Sequence, residues 1–151
     1  MFEEIILHFV VKDIHKHFGF LFEKGYRIRD AYLLSSHSDW CVELESKDCI
    51  IWILWSRFQA YIGFTPVFGS RNSQRIMLEE MIYYLSNHEL FIENSPGNYV
   101  GGKKKQLKRE AGLLAEYVDQ IAPYFSYKYY ECKDDLAEAA RRYGHRTSPK
   151  Y

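Results

Sequence analysis

The first part of the chain carries apolar residues at helical spacing. The stripe comprises Ile6, Val10, Ile14, Phe18 and Phe22, and it is widened by Ile5, Phe9 and Leu21. This period predicts one amphipathic helix over residues 2–24, ended by Gly25 at the position where a left-handed backbone is favoured. We expect the stripe to face the core.

After Gly25 the pattern changes from helical spacing to strand-like runs. Four runs have the length and composition of strands, at residues 26–35, 40–47, 49–55 and 58–66. Their short connections require antiparallel neighbours, so they predict a four-stranded meander. The third run is apolar at every position and therefore needs cover on both faces of the sheet.

Two-residue turns at 47–48 and 56–57 predict the register of this meander. One face, called the first face below, is then wholly apolar and carries Trp40, Val42, Leu44, Ile51, Ile53, Trp55, Phe58 and Ala60. The opposite second face is mixed and carries Cys41, Glu43, Glu45, Ile50, Trp52, Leu54, Gln59 and Tyr61. A five-residue loop at 35–39 would place Arg29 across from Glu45 as an ion pair.

The remainder of the chain reads as helical. A helix capped by Asn72 or Ser73 is predicted to run to about Asn87, followed by a loop over 89–102 and helices over 103–125 and 133–143. The first of the last two helices has a short heptad seam, which indicates either packing within the chain or pairing with a second copy. The sequence thus predicts a single α+β domain, 1–151, with a core at 1–88 and a helical region at 103–144. The last helices either cover the second face or leave it to another subunit.

Composition and charge limit the classes of function. Apolar residues make up 47% of the chain, which indicates a folded protein, and the balance of 20 basic and 20 acidic residues gives no overall attraction to polyanions. Three cysteines without ligand spacing, and no basic segment before an apolar core at the start, predict a reducing, cytoplasmic location. No apolar run approaches the length needed to cross a membrane, and no motif indicates a metal or cofactor.

The absence of a catalytic motif and the surplus of aromatic residues favour a non-enzymatic protein-interaction module, with a second copy of the chain as one partner considered. The predicted contact residues on the second face are Arg29, Glu43, Glu45, Trp52 and Tyr61. A second group, Tyr127, Tyr129 and Tyr130, lies in a segment that is too aromatic for one helix to bury.

Two alternative functions stay open on the sequence alone. The basic segment, which comprises Lys103, Lys104, Lys105, Lys108 and Arg109, is a candidate nucleic-acid site, although no aromatic residues interleave it. Glu43 and Glu45 project from one side of a strand beside aromatic rings, an arrangement that a small hydrolase uses for acid–base chemistry.

The order of helix, meander and helix, with the alternating strand Val42-Glu43-Leu44-Glu45-Ser46 followed by an apolar strand and Arg57, resembles small uncharacterised bacterial α+β proteins, some of them immunity-type partners of toxins. The resemblance covers residues 2–85. It implies a protein partner and transfers no site residues.

Overall fold

The computed structural model describes residues 2–34, 38–68, 73–92 and 101–147, with side chains up to 144. The elements are α1 (Phe2–Glu23), β1 (Arg27–Leu33), β2 (Trp40–Glu45), β3 (Ile50–Ser56), β4 (Gln59–Thr65), β5 (Ile76–Met77), α2 (Leu78–Leu85), α3 (Lys103–Ile121), a 3-10 turn (Ala122–Phe125) and α4 (Tyr129–Thr147). The α+β class with an antiparallel sheet is confirmed. The sheet has five strands instead of four, in the order β1-β2-β3-β4-β5.

The predicted register is correct for one hairpin and wrong for the next. Trp40 pairs with Trp55 as expected, but Trp55 pairs with Ala60 instead of Phe58. The turn consists of Arg57 and Phe58, both with positive φ, so Ser56 still belongs to β3. Two consecutive residues in the left-handed backbone conformation match the twist of a hairpin. The glycine or asparagine that usually marks such a turn in a sequence is missing here.

The edge strand β1 contains an irregularity that shifts its pairing. Arg27 pairs with Glu45 and Asp30 with Glu43, so one extra residue, Arg29, lies between them. Arg29 was predicted opposite Glu45, and this is wrong, because Leu33 already pairs with Trp40, one residue away from the predicted register, and the bulge adds a shift of one more residue. A bulge of this kind reverses which face the following side chains occupy. Tyr32 therefore lies on the second face.

All four helices contribute to one core on the first face of the sheet. Most of their buried apolar residues form one cluster with Val42, Leu44, Ile51, Ile53 and Ile62, and Tyr83, Ala139 and Tyr143 form a small second cluster between α2 and α4. The heptad seam of α3, comprising Leu107, Ala111, Leu114, Val118 and Ile121, is buried in that cluster. The seam is thus explained by packing within the chain, and the alternative of pairing through it with a second copy is wrong.

Several predicted helix features are wrong. Ile5 and Phe9 are 53% and 61% exposed, so they do not widen the buried stripe of α1. The helix α2 begins at Leu78 because Ile76 and Met77 pair with β4 as a fifth strand. The long helix ends at Ile121, two residues before Pro123, and α4 begins at Tyr129, four residues earlier than predicted. The predicted cap Asn72 lies outside the described residues.

Two buried polar features connect α3 to its neighbours. The Gln106 side chain, 2% exposed, accepts a hydrogen bond from the amide of Ala60 at 3.0 Å and donates to the carbonyls of Phe58 and Gly101 at 2.9 Å each. Glu110 of α3 is buried beside Glu79 of α2, with exposures of 2% and 1%. Arg109 donates to the Glu110 carboxylate at 2.7 Å, and one oxygen of each carboxyl group has no hydrogen-bond partner within the described part of the chain.

Candidate functional site: a groove on the second face of the sheet

No helix in the described part of the chain forms a layer on the second face of the sheet. Trp52, Leu54 and Tyr61 lie on this face, are half-buried and do not belong to the core cluster that the helices share. The alternative in which the last helices cover the face is therefore wrong for the described residues. A half-buried row of large apolar side chains on one sheet face is a surface that a second molecule can cover.

A groove of about 770 Å³ runs along part of this face. Its lining combines aromatic and charged side chains: Arg29, Asp30, Tyr32, Glu43, Trp52 and Arg75, with Ile50, Thr65, Pro66, Val67 and Ser73 at its base and end. Two arginines, Arg29 and Arg75, and two carboxyl groups, those of Asp30 and Glu43, line it. The groove therefore has no net preference for an anion or a cation, and it offers aromatic area between polar groups.

Glu43 lies at the base of the groove and is only 6% exposed. Its carboxylate oxygen Oε1 lies 3.7 Å from Nε of Arg29, and Arg29 also reaches Oε1 of Glu45 at 4.0 Å. Burial raises the pKa of Glu43, and the positive charge of Arg29 opposes that rise. Arg29 therefore still forms ion pairs with β2 despite the bulge, and Glu43 is its nearer partner.

Trp52, which pairs with Glu43 across the sheet, and Arg75 form a further part of the lining. The indole Nε1 donates to Oγ1 of Thr65 at 2.7 Å, which fixes the ring against the sheet. The Arg75 guanidinium lies 4.0 Å from the centroid of the Trp52 ring. Gly63 makes this contact possible, because a Cβ there would lie 2.6 Å from Cγ of Arg75. The arginine side chain therefore lies flat over the glycine and covers the indole.

Tyr61 extends the aromatic surface beyond the groove. It pairs across the sheet with Leu54, and both side chains are half-buried. The predicted second-face residues are thus brought together by the structure: Arg29, Glu43 and Trp52 line the groove, while Glu45 and Tyr61 flank it on neighbouring strand positions.

The tyrosine segment lies next to the far end of the same groove. Tyr130 is 66% exposed and stacks on Phe68 with ring centroids 5.8 Å apart. The side chain of Ser73, a residue that also lines the groove, partly offsets the rise in the pKa of Tyr129 that burial causes. Tyr127 is 76% exposed, with the ammonium of its neighbour Lys128 5.8 Å from its ring. The second face and the tyrosines therefore meet at the residues that follow β4.

The basic segment lies elsewhere, at the start of α3. Lys103, Lys104, Lys105 and Lys108 are exposed, and Lys103 pairs with Asp13 of α1 at 3.5 Å. Arg109 pairs with the buried Glu110 and has a side-chain exposure of 21%. It also lines a surface depression together with Lys105 and Lys108, so it stays next to two of the four lysines.

Sequence reasoning missed Tyr32 and Arg75. Tyr32 was not assigned to the site because the bulge at Arg29 has no clear sequence signal. Arg75 precedes a two-residue strand that is too short to recognise. The available signal was Gly63 opposite Trp52, since a glycine inside a strand indicates the close approach of another group.

The groove carries no metal-binding constellation among the described residues. Glu43 and Glu45 do share the second face, with Arg29 in contact with both, and a hydrolase role for the pair stays a prediction. None of the helices in the described part of the chain has the length and apolar character required to cross a membrane.

Comparison of the chain with protein-family models, with curated proteins and with solved structures found no match.

Proposed function

We propose that this protein is a non-enzymatic interaction module that binds a protein partner through the second face of its sheet. The observation that supports the proposal is the one-sided layering: every described helix adds to the core on the first face, while Trp52, Leu54 and Tyr61 stay half-exposed on the other. Fixed aromatic side chains on a rigid sheet lose little conformational entropy on binding, which favours them as contact residues.

The chemistry of the face fits a protein partner. Tryptophan, tyrosine and arginine are the residues that most often dominate the binding energy of protein interfaces, and all three occur in the groove. Charges of both signs surround them, and these would select a partner through complementary charges at the rim. Tyr130, which stacks on Phe68 after β4, adds an exposed ring near the end of the groove, and Tyr127 is a further exposed ring of the same segment.

Arg75 covers Trp52 in the free protein and is easily displaced. It is itself exposed, and a cation–π contact at an exposed site is worth about 0.5–1 kcal/mol. A partner that inserts an apolar side chain against the indole replaces this contact at small cost. Arg75 then becomes available for a carboxylate on the partner.

The test compares second-face variants with a matched control. Trp52→Ala and Tyr61→Ala each remove an aromatic side chain from the proposed surface. Tyr117→Ala removes a half-buried ring from α3 on the helical side. Light scattering across concentration first determines whether the partner is a second copy. Quantitative mass spectrometry of proteins captured from the source cells then identifies any other partner, and titration with the purified partner gives its affinity.

We expect the affinity for the identified partner, or the self-association constant, to fall about tenfold or more for each second-face variant, since hot-spot truncations cost more than about 1–2 kcal/mol. The Tyr117→Ala protein should bind like the wild type. If both second-face variants fold and bind as the wild type does, the proposed surface is wrong. A toxin-like partner, implied only by the resemblance of the chain to immunity-type proteins, stays a prediction.

A further inference from the structure

A second groove, distinct from the one on the sheet, lies between α1 and α3. It has a volume of about 670 Å³ and is lined by Lys16, His17 and Phe20 of α1 and by Lys104, Lys105, Lys108, Ala111, Gly112 and Ala115 of α3. Two segments almost ninety residues apart in sequence thus bring four lysines to one cleft. The sequence alone groups the basic segment of α3 and does not show that Lys16 lies beside it.

The four lysines of this groove differ from Lys103 in their ion pairing. Among the described residues no carboxylate lies within ion-pair distance of any of them, whereas Lys103 next to them is paired with Asp13. The pKa of His17 is lowered, first by burial and then by the charges of Lys16, Lys104 and Lys108, which oppose the nearby Asp13. The lysines therefore give the groove a local positive potential in a chain whose net charge is zero.

Aromatic side chains accompany these lysines, in contrast to the expectation from the basic segment itself. Phe20 lines the groove, and Phe2, Phe9 and Lys16 are spaced at seven residues, which places these three on one side of α1 before the helix is interrupted at Phe18. Phe2 and Phe9 are 81% and 61% exposed. The surface of α1 that leads into the groove thus alternates between aromatic rings and a cation.

We propose that the α1–α3 groove binds a single-stranded nucleic acid, with phosphates against Lys16, Lys104, Lys105 and Lys108 and bases stacked on Phe20 and Phe9. Such sites have two elements. Lysines lie along the phosphate backbone of the nucleic acid, and bases of any sequence stack on aromatic rings. Lys104 and Lys108 are one helical turn apart, about 6 Å along the axis, so one strand can contact both.

The shape of the site favours a single strand over other anions. A duplex hides the faces of its bases and so gains nothing from the phenylalanines. A flat anionic bilayer does not enter a cleft between two helices. An acidic peptide would satisfy the lysines, but it has no equivalent use for the stacking surface. These three ligands are accordingly the competitors in the test.

The test measures fluorescence anisotropy of a labelled single strand of about 20 nucleotides with the full chain, beginning at about 50 mM salt, where phosphate contacts are strong. Four lysine–phosphate contacts predict a slope of about −3 for log affinity against log salt concentration. The double variant Lys16→Ala/Lys108→Ala should bring the slope to about −1.5, because half of the contacts are removed. Lys103→Ala is the control, because it removes an exposed lysine that already has an acidic partner and lies outside the groove. The affinity of this variant should stay within about twofold of the wild type.

Phe20→Leu tests the stacking contribution, since it keeps the apolar volume but removes the ring. The affinity of this variant should fall about fivefold or more at unchanged salt slope, because stacking is independent of counterions. Circular dichroism confirms that each variant is folded. Parallel titrations use a duplex of the same sequence, a polyglutamate peptide and vesicles that contain phosphatidylserine.

Loss of single-strand affinity in both groove variants but not in the control supports the proposal. Absence of binding at low salt overturns it. It is equally overturned if the duplex, the acidic peptide or the vesicles bind as tightly as the single strand. A folded Phe20→Leu protein that binds like the wild type would remove the stacking role and with it the preference for a single strand.

Discussion

The buried pair Glu79 and Glu110 makes the stability of this protein depend on pH in a specific direction. Burial, and then the negative charge of Glu79, raise the pKa of Glu110 to about 9, despite the opposing charge of Arg109. The pKa of Glu79 is also raised, again by burial first. At neutral pH Glu110 is therefore protonated.

A carboxyl group whose pKa is higher in the folded than in the unfolded state makes the free energy of unfolding of the protein fall as pH rises. Its contribution is fully present below the unfolded value of about 4.5 and is lost progressively up to about 9. Each pH unit in this window is worth about 1.4 kcal/mol for one proton. At pH 7 Glu110 has to take up a proton when the protein folds, and this lowers the free energy of unfolding by about 3 kcal/mol.

The Glu110→Gln substitution removes this cost, because the amide is neutral at every pH and its oxygen still accepts from Arg109. We expect the variant to be more stable than the wild type by about 2–3 kcal/mol at pH 7, with a larger difference at pH 8 and almost none near pH 5. Urea unfolding followed by circular dichroism at these three pH values measures the difference. The wild-type-minus-variant comparison cancels contributions from other groups, among them His17 and Glu43.

Glu116→Gln is the matched control, since it changes an exposed glutamate on the same helix. It should leave the pH dependence of the wild type unchanged. If Glu110→Gln is no more stable than the wild type at pH 8, burial does not keep Glu110 protonated in the folded protein and the reasoning fails.

Further predictions concern the core, the exposed residues of α1 and the thiols. Gln106→Leu leaves the amide of Ala60 and two carbonyls unpaired, so the free energy of unfolding should fall by about 2–4 kcal/mol; an unchanged urea midpoint would contradict this. Ile14→Ala empties a fully buried position and should cost about 2–5 kcal/mol, whereas Phe9→Ala should change the same quantity by less than about 0.5 kcal/mol. With Ellman's reagent on the native protein, the half-exposed Cys132 should react first; Cys49, whose thiol pKa burial raises to about 12, should react only after unfolding, and rapid labelling of Cys49 would argue against its burial.

The meander and its apolar face were predictable because they follow from local signals. Short connections fix antiparallel pairing, and the alternation of Val42, Glu43 and Leu44 fixes which side chains point together. The pairing of Trp40 with Trp55 was obtained in this way. The helical seam of α3 was likewise visible as a pattern, but only the structure shows that the seam packs on the first face of its own sheet.

The features that escaped prediction depend on contacts distant in sequence. The bulge at Arg29 moves Tyr32 to the second face, and nothing in the local composition marks that extra residue. The pairing of Ile76 and Met77 with β4 exists only once the rest of the sheet is present. The convergence of Lys16 with Lys104 depends on the packing of α1 against α3, which no periodicity reveals.

Site-specific photo-crosslinking tests the central claim, that the second face is the interaction surface, most directly. A benzophenone amino acid is placed at position 61 on the second face and, in a second protein, at position 117 on α3, and both are irradiated in the source cells. The account predicts a discrete protein adduct from position 61, of the mass of a second copy or of one other protein, and none from position 117. The account is contradicted by an adduct from position 117 with none from position 61, or by no adduct from either.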